Sequence, residues 1–478
     1  MSASLPRSTP SAQGVAAAGV ERFLDAVAAD DLELHSLMVL RHGCVVAEGW
    51  WSPYEADGLQ LLYSLSKSFT ATAVGLAQAE GLLSVHDRVL DLLADDAPVE
   101  PDPFLQELRV RDLLAMASGH RDDTLSRVDR RDPVRGLLAL PAEEAPGTWF
   151  TYNNGASVLL AAVVQAATRS RLLDYLGPRL LEPLGIPRAC WLGIGDLDQG
   201  YSGLHLATEA VAKLGLLYLQ RGLWAGRQLL PEDWVAAATR RQVDNPREPE
   251  PDWRRGYGYQ FWMARHGYRG DGAYGQFCLV LPEADAVVVM TGATERMQAV
   301  LDHVWAHLWP ALSAGGDDGD ARLATRLAGL CLPPATGSRD RPVGQASASS
   351  RPAGDLSPQA DPLRVLEVVE IPDGWSLRLA DADGALEVRC GHQTWLPTTV
   401  ELPGGRLLEV AGSAAWTSPT TLVAHLLFVR TPHRLVVHVD ETAGPALHWH
   451  TAPLDFTSLR GLALPADRMW TATAAGEG

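Results

Sequence analysis

The chain has 478 residues, a formal net charge of −18, 46% apolar residues and 21% charged ones. That length exceeds one ordinary domain and carries apolar surface enough for a sizeable core, so wholesale disorder is excluded. The acidic balance argues against nucleic acid and anionic membrane surfaces as partners, because both reward patches of Lys and Arg.

The N-terminal stretch "MSASLPRSTPSAQGVAAAGVERF" lacks a sustained apolar core, which predicts no signal peptide, and no later run approaches the ~18 apolar residues a spanning helix needs. Residues 12–30 predict an amphipathic helix. "HSLMVLRHGCVVAEGWW" predicts a hairpin turning at His42-Gly43. A helix is expected after Ser64, with Phe69, Ala73, Val74 and Leu76 on its apolar side. Residues 85–190 read mostly as helices broken by loops. "GLHLATEAVAKLGLLYLQRG" and "LPEDWVAAATRRQ" predict two more helices, "GYGYQFWMARH" and "GQFCLVLPEADAVVVMTG" predict strands, and a helix is expected over 295–309. Strands enclosing a long helical insertion imply an α+β layout, an antiparallel sheet with helices beside it. "ARLATRLAGLCL" adds one helix, and residues 332–361 read as a Pro/Ser/Gly-rich linker. From 362 to 478 short strands alternate with turns, which predicts an antiparallel barrel or sandwich as a second domain after a first over 1–331. The five cysteines, Cys44, Cys190, Cys278, Cys331 and Cys390, are scattered and odd in number; they read as reduced thiols of a cytoplasmic protein.

Only two lysines occur, Lys67 and Lys213, in a chain that otherwise uses arginine. Lys67 stands one helical turn beyond Ser64 in "YSLSKSFT", on the same face. A serine hydroxyl is a weak nucleophile that needs an adjacent base, and a lysine with depressed pKa can be one, whereas arginine stays protonated. The plainer alternative is an N-cap serine beside a solvated lysine. "TYNN" places Tyr152 and Asn154 just before a helix. A Tyr near a Lys can relay a proton, and an amide can anchor substrate or hold the lysine. "RGDGAYGQF" supplies Gly270, Asp271 and Gly272 ahead of a strand; its glycines would let a substrate approach the backbone, and a strand N–H there could donate to an oxyanion.

In this order, Ser64-x-x-Lys67, Tyr152-x-Asn154 and a strand-borne third motif, the chain resembles the serine β-lactamase and penicillin-binding-protein superfamily, in its class C-like esterase and amidase branch. "SLSKSFTATAVGLAQAEGLLSVHDRVLDLL", "RVRDLLAMASGH" and "YNNGASVLLAAVVQAATRSRLLDYLGPRLLEPLGI" carry the likeness further, so that it covers residues 12–312. The resemblance implies a transpeptidase-like sheet with a helical subdomain, followed by a barrel-like, lipocalin-like domain. It implies Ser64 as acyl-forming nucleophile, Lys67 as its base, Tyr152 as proton relay to the leaving group and Asn154 as contact to substrate and Lys67. The oxyanion hole would be the N–H groups of Ser64 and Ala273. No cofactor is implied; the partner is a small-molecule or peptide acyl substrate, and nothing in the sequence sets the oligomeric state.

The third motif departs from the family's usual Lys-, His- or Arg-x-Gly, because Gly270 has no side chain. That disfavours substrates with a free carboxylate, β-lactams included, and favours a neutral ester or amide. Arg269, Arg265 or His266 could supply the missing charge from nearby. Among the rival readings, a penicillin-binding-type thioesterase or transacylase and a D-specific peptidase share the acyl-enzyme, while a binding protein on the same fold does without it. No Gly-x-Ser-x-Gly or His-Glu-x-x-His occurs, and no metal site is expected; His448 and His450 alternate on a strand and read as exposed or packed. Trp50, Trp51, Trp149 and Trp262 fit a cleft wall or a core equally well.

Overall fold

The computed structural model describes residues 4–341, 363–454 and 458–472. Contacts divide these into two units. The first takes in the described residues up to Gly49, Leu61–Ala328 and those from Arg468; the second takes in Trp50–Gln60 and the described residues from Gly329 to Asp467. The chain therefore crosses between units more often than a single boundary after residue 331 would have it. Most of the expected linker, from residue 342, lies outside the described residues. Its first part is built into the second unit, where Ser338 forms a bridge with Trp416.

The first unit is α+β. Helix α1 (Ala17–Ala29) buries Val20, Phe23, Leu24 and Val27, a spacing that sets one apolar face against the core. Strands β1 (Leu34–Arg41) and β2 (Cys44–Trp50) form the expected hairpin, and His42 and Gly43 both take positive φ, 50° and 74°, which suits the right-handed twist of a two-residue turn. Helix α2 is Ser66–Ala79, α3 is Asn154–Thr168 and α4 is Thr208–Leu219. Strands β3 (Trp262–Ala264), β4 (Gly267–Gly272), β5 (Gln276–Leu281) and β6 (Ala286–Gly292) complete an antiparallel sheet in the order β3-β4-β5-β6-β1-β2. The third motif is thus itself a strand, β4, which pairs Gly270 with Cys278, Asp271 with Phe277 and Gly272 with Gln276. Of the stretch "GYGYQFWMARH", only Trp262–Ala264 is extended.

Glycine lets two helices pack closely, α4 on this sheet and α2 on the Trp234 indole. A Cβ at Gly215 of α4 would lie 2.6 Å from Val287 Cγ1 and 2.8 Å from Cys278 Sγ; one at Gly75 of α2 would lie 2.4 Å from the Trp234 indole. Helix α2 is buried nearly all round, from Ser66 to Ala77, its polar Ser66, Lys67, Ser68, Thr70 and Thr72 included. All five cysteines are free. Among the described residues no single helix is long and apolar enough to cross a membrane.

The second unit is one eight-stranded sheet curled into a half-barrel. Its strands are β7 (Arg364–Ile371), β8 (Gly374–Asp381), β9 (Gly384–Gly391), β10 (Leu396–Leu402), β11 (Arg406–Trp416), β12 (Thr421–Phe428), β13 (Arg434–Asp440) and β14 (Gly444–Thr451). They run β7-β8-β9-β11-β12-β13-β14, with β10 paired to β11. Alternate residues such as Leu377, Leu379, Val388, Val410, Leu426, Leu435 and Val437 fill the concave side.

Candidate active site

Ser64 sits inside a 3-10 turn, Tyr63–Leu65, that runs straight into α2. Leu65, not Ser64, holds the N-cap position, and no side chain caps the helix there. The capping alternative for Ser64 therefore fails. Tyr63 adopts φ 47°, a left-handed conformation that costs a bulky residue on the order of 1–3 kcal/mol and persists only where its surroundings enforce it.

Lys67 follows one turn later and is only 1% exposed. Its Nζ lies 2.8 Å from Ser64 Oγ, 2.8 Å from Asn154 Oδ1 and 2.9 Å from the Tyr201 carbonyl oxygen. Asn154, the first residue of α3, is itself held: Asp123 accepts from its Nδ2 at 2.7 Å and from its backbone N–H at 2.9 Å, which turns Oδ1 toward the lysine. Its neighbour Asn153 is buried and structural, accepting from Thr124 and Gly155.

The Tyr152 ring lies 4.7 Å from Lys67 Nζ, and its hydroxyl is hydrogen-bonded to Ser64. Trp262 stacks on the ring at 5.2 Å, and Tyr257 packs edge-on to both. Burial, reinforced by the Asp271 charge, pushes the Tyr152 hydroxyl well above the ordinary phenol range, so it stays protonated at neutral pH.

Strand β4 runs along the same turn. A Cβ at Gly272 would lie 2.1 Å from the Leu62 carbonyl oxygen, and one at Gly270 would lie 2.3 Å from Leu65 Cδ1 and 2.7 Å from Ser68 Oγ. Glycine is needed at both positions for the strand to come this close. Asp271 is buried and paired with Arg269 at 2.9 Å, with the Trp253 indole as a further partner. Burial pushes the Asp271 carboxyl up, while Arg269 and Lys67 pull it back. Ala273 follows the strand, and Tyr274 after it again takes positive φ, 66°, its ring edge-on to Tyr63 at 5.6 Å.

Ser64, Lys67, Tyr152, Asn154 and the strand carrying Gly270, Asp271 and Gly272 thus converge. The candidate replacements for the third-motif cation do not. Arg269 is fully buried, holding Asp271 and the carbonyls of Asp252 and Met263. Arg265 pairs with Asp252 and Asp302, and His266 stacks on Trp309 at 3.7 Å. Trp262 is a packed wall behind Tyr152, Trp149 is held between Arg121 and Arg247, and Trp51 belongs to a small cluster of the second unit. His448 faces His438, ring centroids 5.4 Å apart, and among the described residues no His, Cys, Asp and Glu group is arranged to hold a metal. Asp123 and the Tyr201 carbonyl escaped sequence reasoning. Asp123 lies in a charged stretch that looks like solvated loop, and a main-chain oxygen leaves no sequence signal.

The family description "Beta-lactamase" matches residues 24–303. The 6-aminohexanoate-dimer hydrolase of Paenarthrobacter ureafaciens is 24% identical over 281 residues, 53% of this chain and 71% of that one. The D-aminopeptidase of Brucella anthropi is 28% identical over 189 residues, 34% of each chain. Among solved structures, the octameric penicillin-binding protein homologue from Pyrococcus abyssi superposes with a TM-score of 0.51 at 15% identity, covering 88% of this chain and 99% of that one. The matched region spans more than half the chain and holds every residue gathered around Lys67, so this protein belongs to the beta-lactamase family and is a serine hydrolase.

Proposed function

We propose that the protein cleaves an ester or amide of a small molecule or peptide through an acyl-enzyme on Ser64. The observation that carries this reading is Lys67 Nζ at 2.8 Å from Ser64 Oγ. An ammonium would donate to all three of its neighbours. A neutral amine has only two N–H bonds to give, to Asn154 Oδ1 and the Tyr201 carbonyl, and its lone pair is then left for the Ser64 proton. Asn154 and Tyr201 therefore orient the base, and Asp123 orients Asn154.

In the proposed sequence Lys67 takes the Ser64 proton as Oγ attacks the acyl carbon. The carbonyl oxygen gains the negative charge in front of the N–H groups of Ser64 and Ala273. As the tetrahedral centre collapses, the Tyr152 hydroxyl gives its proton to the departing oxygen or nitrogen and is reprotonated from the Lys67 ammonium. A phenol held protonated suits a donor better than a resting base. Water then repeats the cycle to release the acid. The names of two relatives, a 6-aminohexanoate-dimer hydrolase and a D-aminopeptidase, favour a small amide or peptide donor. Gly270, whose side-chain space is taken by Leu65 and Ser68, disfavours substrates gripped by a carboxylate. Five free thiols support a cytoplasmic setting.

A fluorophosphonate probe should label the folded protein at Ser64, located by peptide mass spectrometry, and should fail on Ser64→Ala. A panel of matched esters, amides and thioesters then ranks the acyl donors. A folded wild type that takes no label would be a binding protein on this fold.

A further inference from the structure

Strand β4 ends at Gly272, which pairs with Gln276, the first residue of β5, and leaves Ala273, Tyr274 and Gly275 as a three-residue turn. Tyr274 and Gly275 take φ 66° and 90°, a bend that only its surroundings can hold. A Cβ at Gly272 would lie 3.1 Å from Leu65 N, so Ala273 leaves the strand where it runs closest to the Ser64 turn. From Tyr268 to Leu281, Ala273 alone is not buried, and nothing among the described residues accepts its N–H. A bare N–H at such a point is open to an incoming carbonyl oxygen.

One side chain bolts this turn to the sheet. Gln276 is 1% exposed, and its Nε2 donates to the Ala273 carbonyl at 3.1 Å and to the Gly292 carbonyl at 2.7 Å. Both N–H bonds of the amide are thus spent, one on the turn and one on the last residue of β6, which pairs with Leu34 of β1. Just beyond β6, the Thr294 N–H donates to the Tyr274 carbonyl at 3.2 Å. The Tyr274 ring meets Tyr63, the residue before Ser64, edge-on at 5.6 Å. Ala273 is therefore held on both sides, by the strand pairing of Gly272 before it and by the Gln276 amide on its own carbonyl, and its N–H cannot swing.

We propose that Gln276 is a positioning residue for acyl transfer: by tying the Ala273 carbonyl to β6, it keeps the Ala273 N–H aimed, together with that of Ser64, at the substrate oxygen that becomes negative. The inference rests on the acyl-enzyme reading of Ser64. A residue that merely staples the fold changes stability, or ground-state and transition-state binding alike, whereas one that aims an oxyanion donor acts on the transition state alone.

The test uses the full-length protein with three probes: p-nitrophenyl butyrate as substrate, 1,1,1-trifluoropentan-2-one as inhibitor and a fluorophosphonate as label. The ketone has the same propyl chain as the ester, and its adduct with Ser64 places an oxyanion where the tetrahedral centre would. Gln276→Met keeps the length of the side chain and removes both N–H groups. In this variant kcat and the rate of Ser64 labelling should fall by about tenfold or more, Ki for the ketone should rise by the same factor, and KM should stay within about twofold. Gln276→Asn, which withdraws the amide by one methylene, should lose less in the same direction, and it carries the comparison if melting curves show the Met variant unfolded. Where the ester is not turned over, the labelling rate and Ki decide alone. Unchanged rates in a folded variant, or a Ki that rises no more than KM, overturns the inference. Labelled wild type whose rate is indifferent to residue 276 sinks only the role of Gln276, whereas wild type that takes no label sinks the acyl-enzyme reading and this inference with it.

Discussion

In the proposed mechanism Lys67 must take up a proton and give it back, and that requirement separates it from the chain's many arginines. An arginine at 67 would keep a cation near Ser64, Asn154 and the Tyr201 carbonyl but could not accept the serine proton at any accessible pH. Lys67→Arg should therefore lower the acylation rate on the order of 10³-fold or more while the melting temperature changes little. Acylation within tenfold of wild type would leave the lysine an electrostatic prop. Asp123 acts one step further out. Asp123→Ala should free the Asn154 amide to turn and cost ~1–3 kcal/mol of stability, since the carboxylate's three hydrogen bonds, two from Asn154 and one from the Leu125 N–H, are lost. It should reduce kcat more than it raises KM. Tyr152 offers a spectroscopic check. Because burial raises its pKa, the neutral phenol persists above the pH at which free tyrosine ionises. The difference in alkaline absorbance titration between wild type and Tyr152→Phe should show no phenolate appearing near pH 10; a normal titration step there would contradict the buried-donor role.

At the scale of elements, the site depends on how closely β4 approaches the turn at Tyr63–Leu65. Gly270 and Gly272 permit it, and the positive φ values of Tyr63 and Tyr274 bend the chain on either side of the two proposed oxyanion donors. Gly272→Ala must move either the Leu62 carbonyl or the strand. We expect a loss of ~1–3 kcal/mol and a large fall in kcat, read by calorimetry and by burst kinetics. The same geometry governs attempts to restore the family's missing cation. Gly270→Lys would drive Cβ into Leu65, so it should destabilise the fold without conferring hydrolysis of a chromogenic cephalosporin. Efficient cephalosporin turnover by this variant would show that only the charge was lacking.

For the molecule as a whole, the division of the chain matters more than its length. The catalytic unit recovers residues from beyond the half-barrel's sequence: Met469–Thr471 pairs with Arg188–Cys190, and Trp470 packs on Gly177. Arg468 donates to the buried carboxylate of Asp198 at 3.0 Å. A truncation at residue 331 would discard all of this. Removing one partner of a buried pair typically costs ~3–5 kcal/mol, so Arg468→Ala should lower the melting temperature of the catalytic unit by several degrees. An unchanged melting curve would show that the returning segment is dispensable.

The sequence by itself picked out Ser64, Lys67, Tyr152 and Asn154, which the fold gathers in one place, and most of the elements. The Ser-x-x-Lys spacing is a helical-turn relation that survives any tertiary context, and alternation or 3.6-residue periodicity marked β1, β2, α2, α4 and the half-barrel strands. Only the tertiary structure decided what depends on approach between distant segments. That Asp123 orients Asn154, that Leu65 and Ser68 fill the space over Gly270, that Arg269 is consumed by Asp271, and that Trp50–Gln60 and Arg468 each cross to the other unit are all pairings of residues far apart in the chain. Local pattern records which face of an element is apolar; it holds no record of which partner that face will meet, because the partner is chosen by packing over the whole molecule.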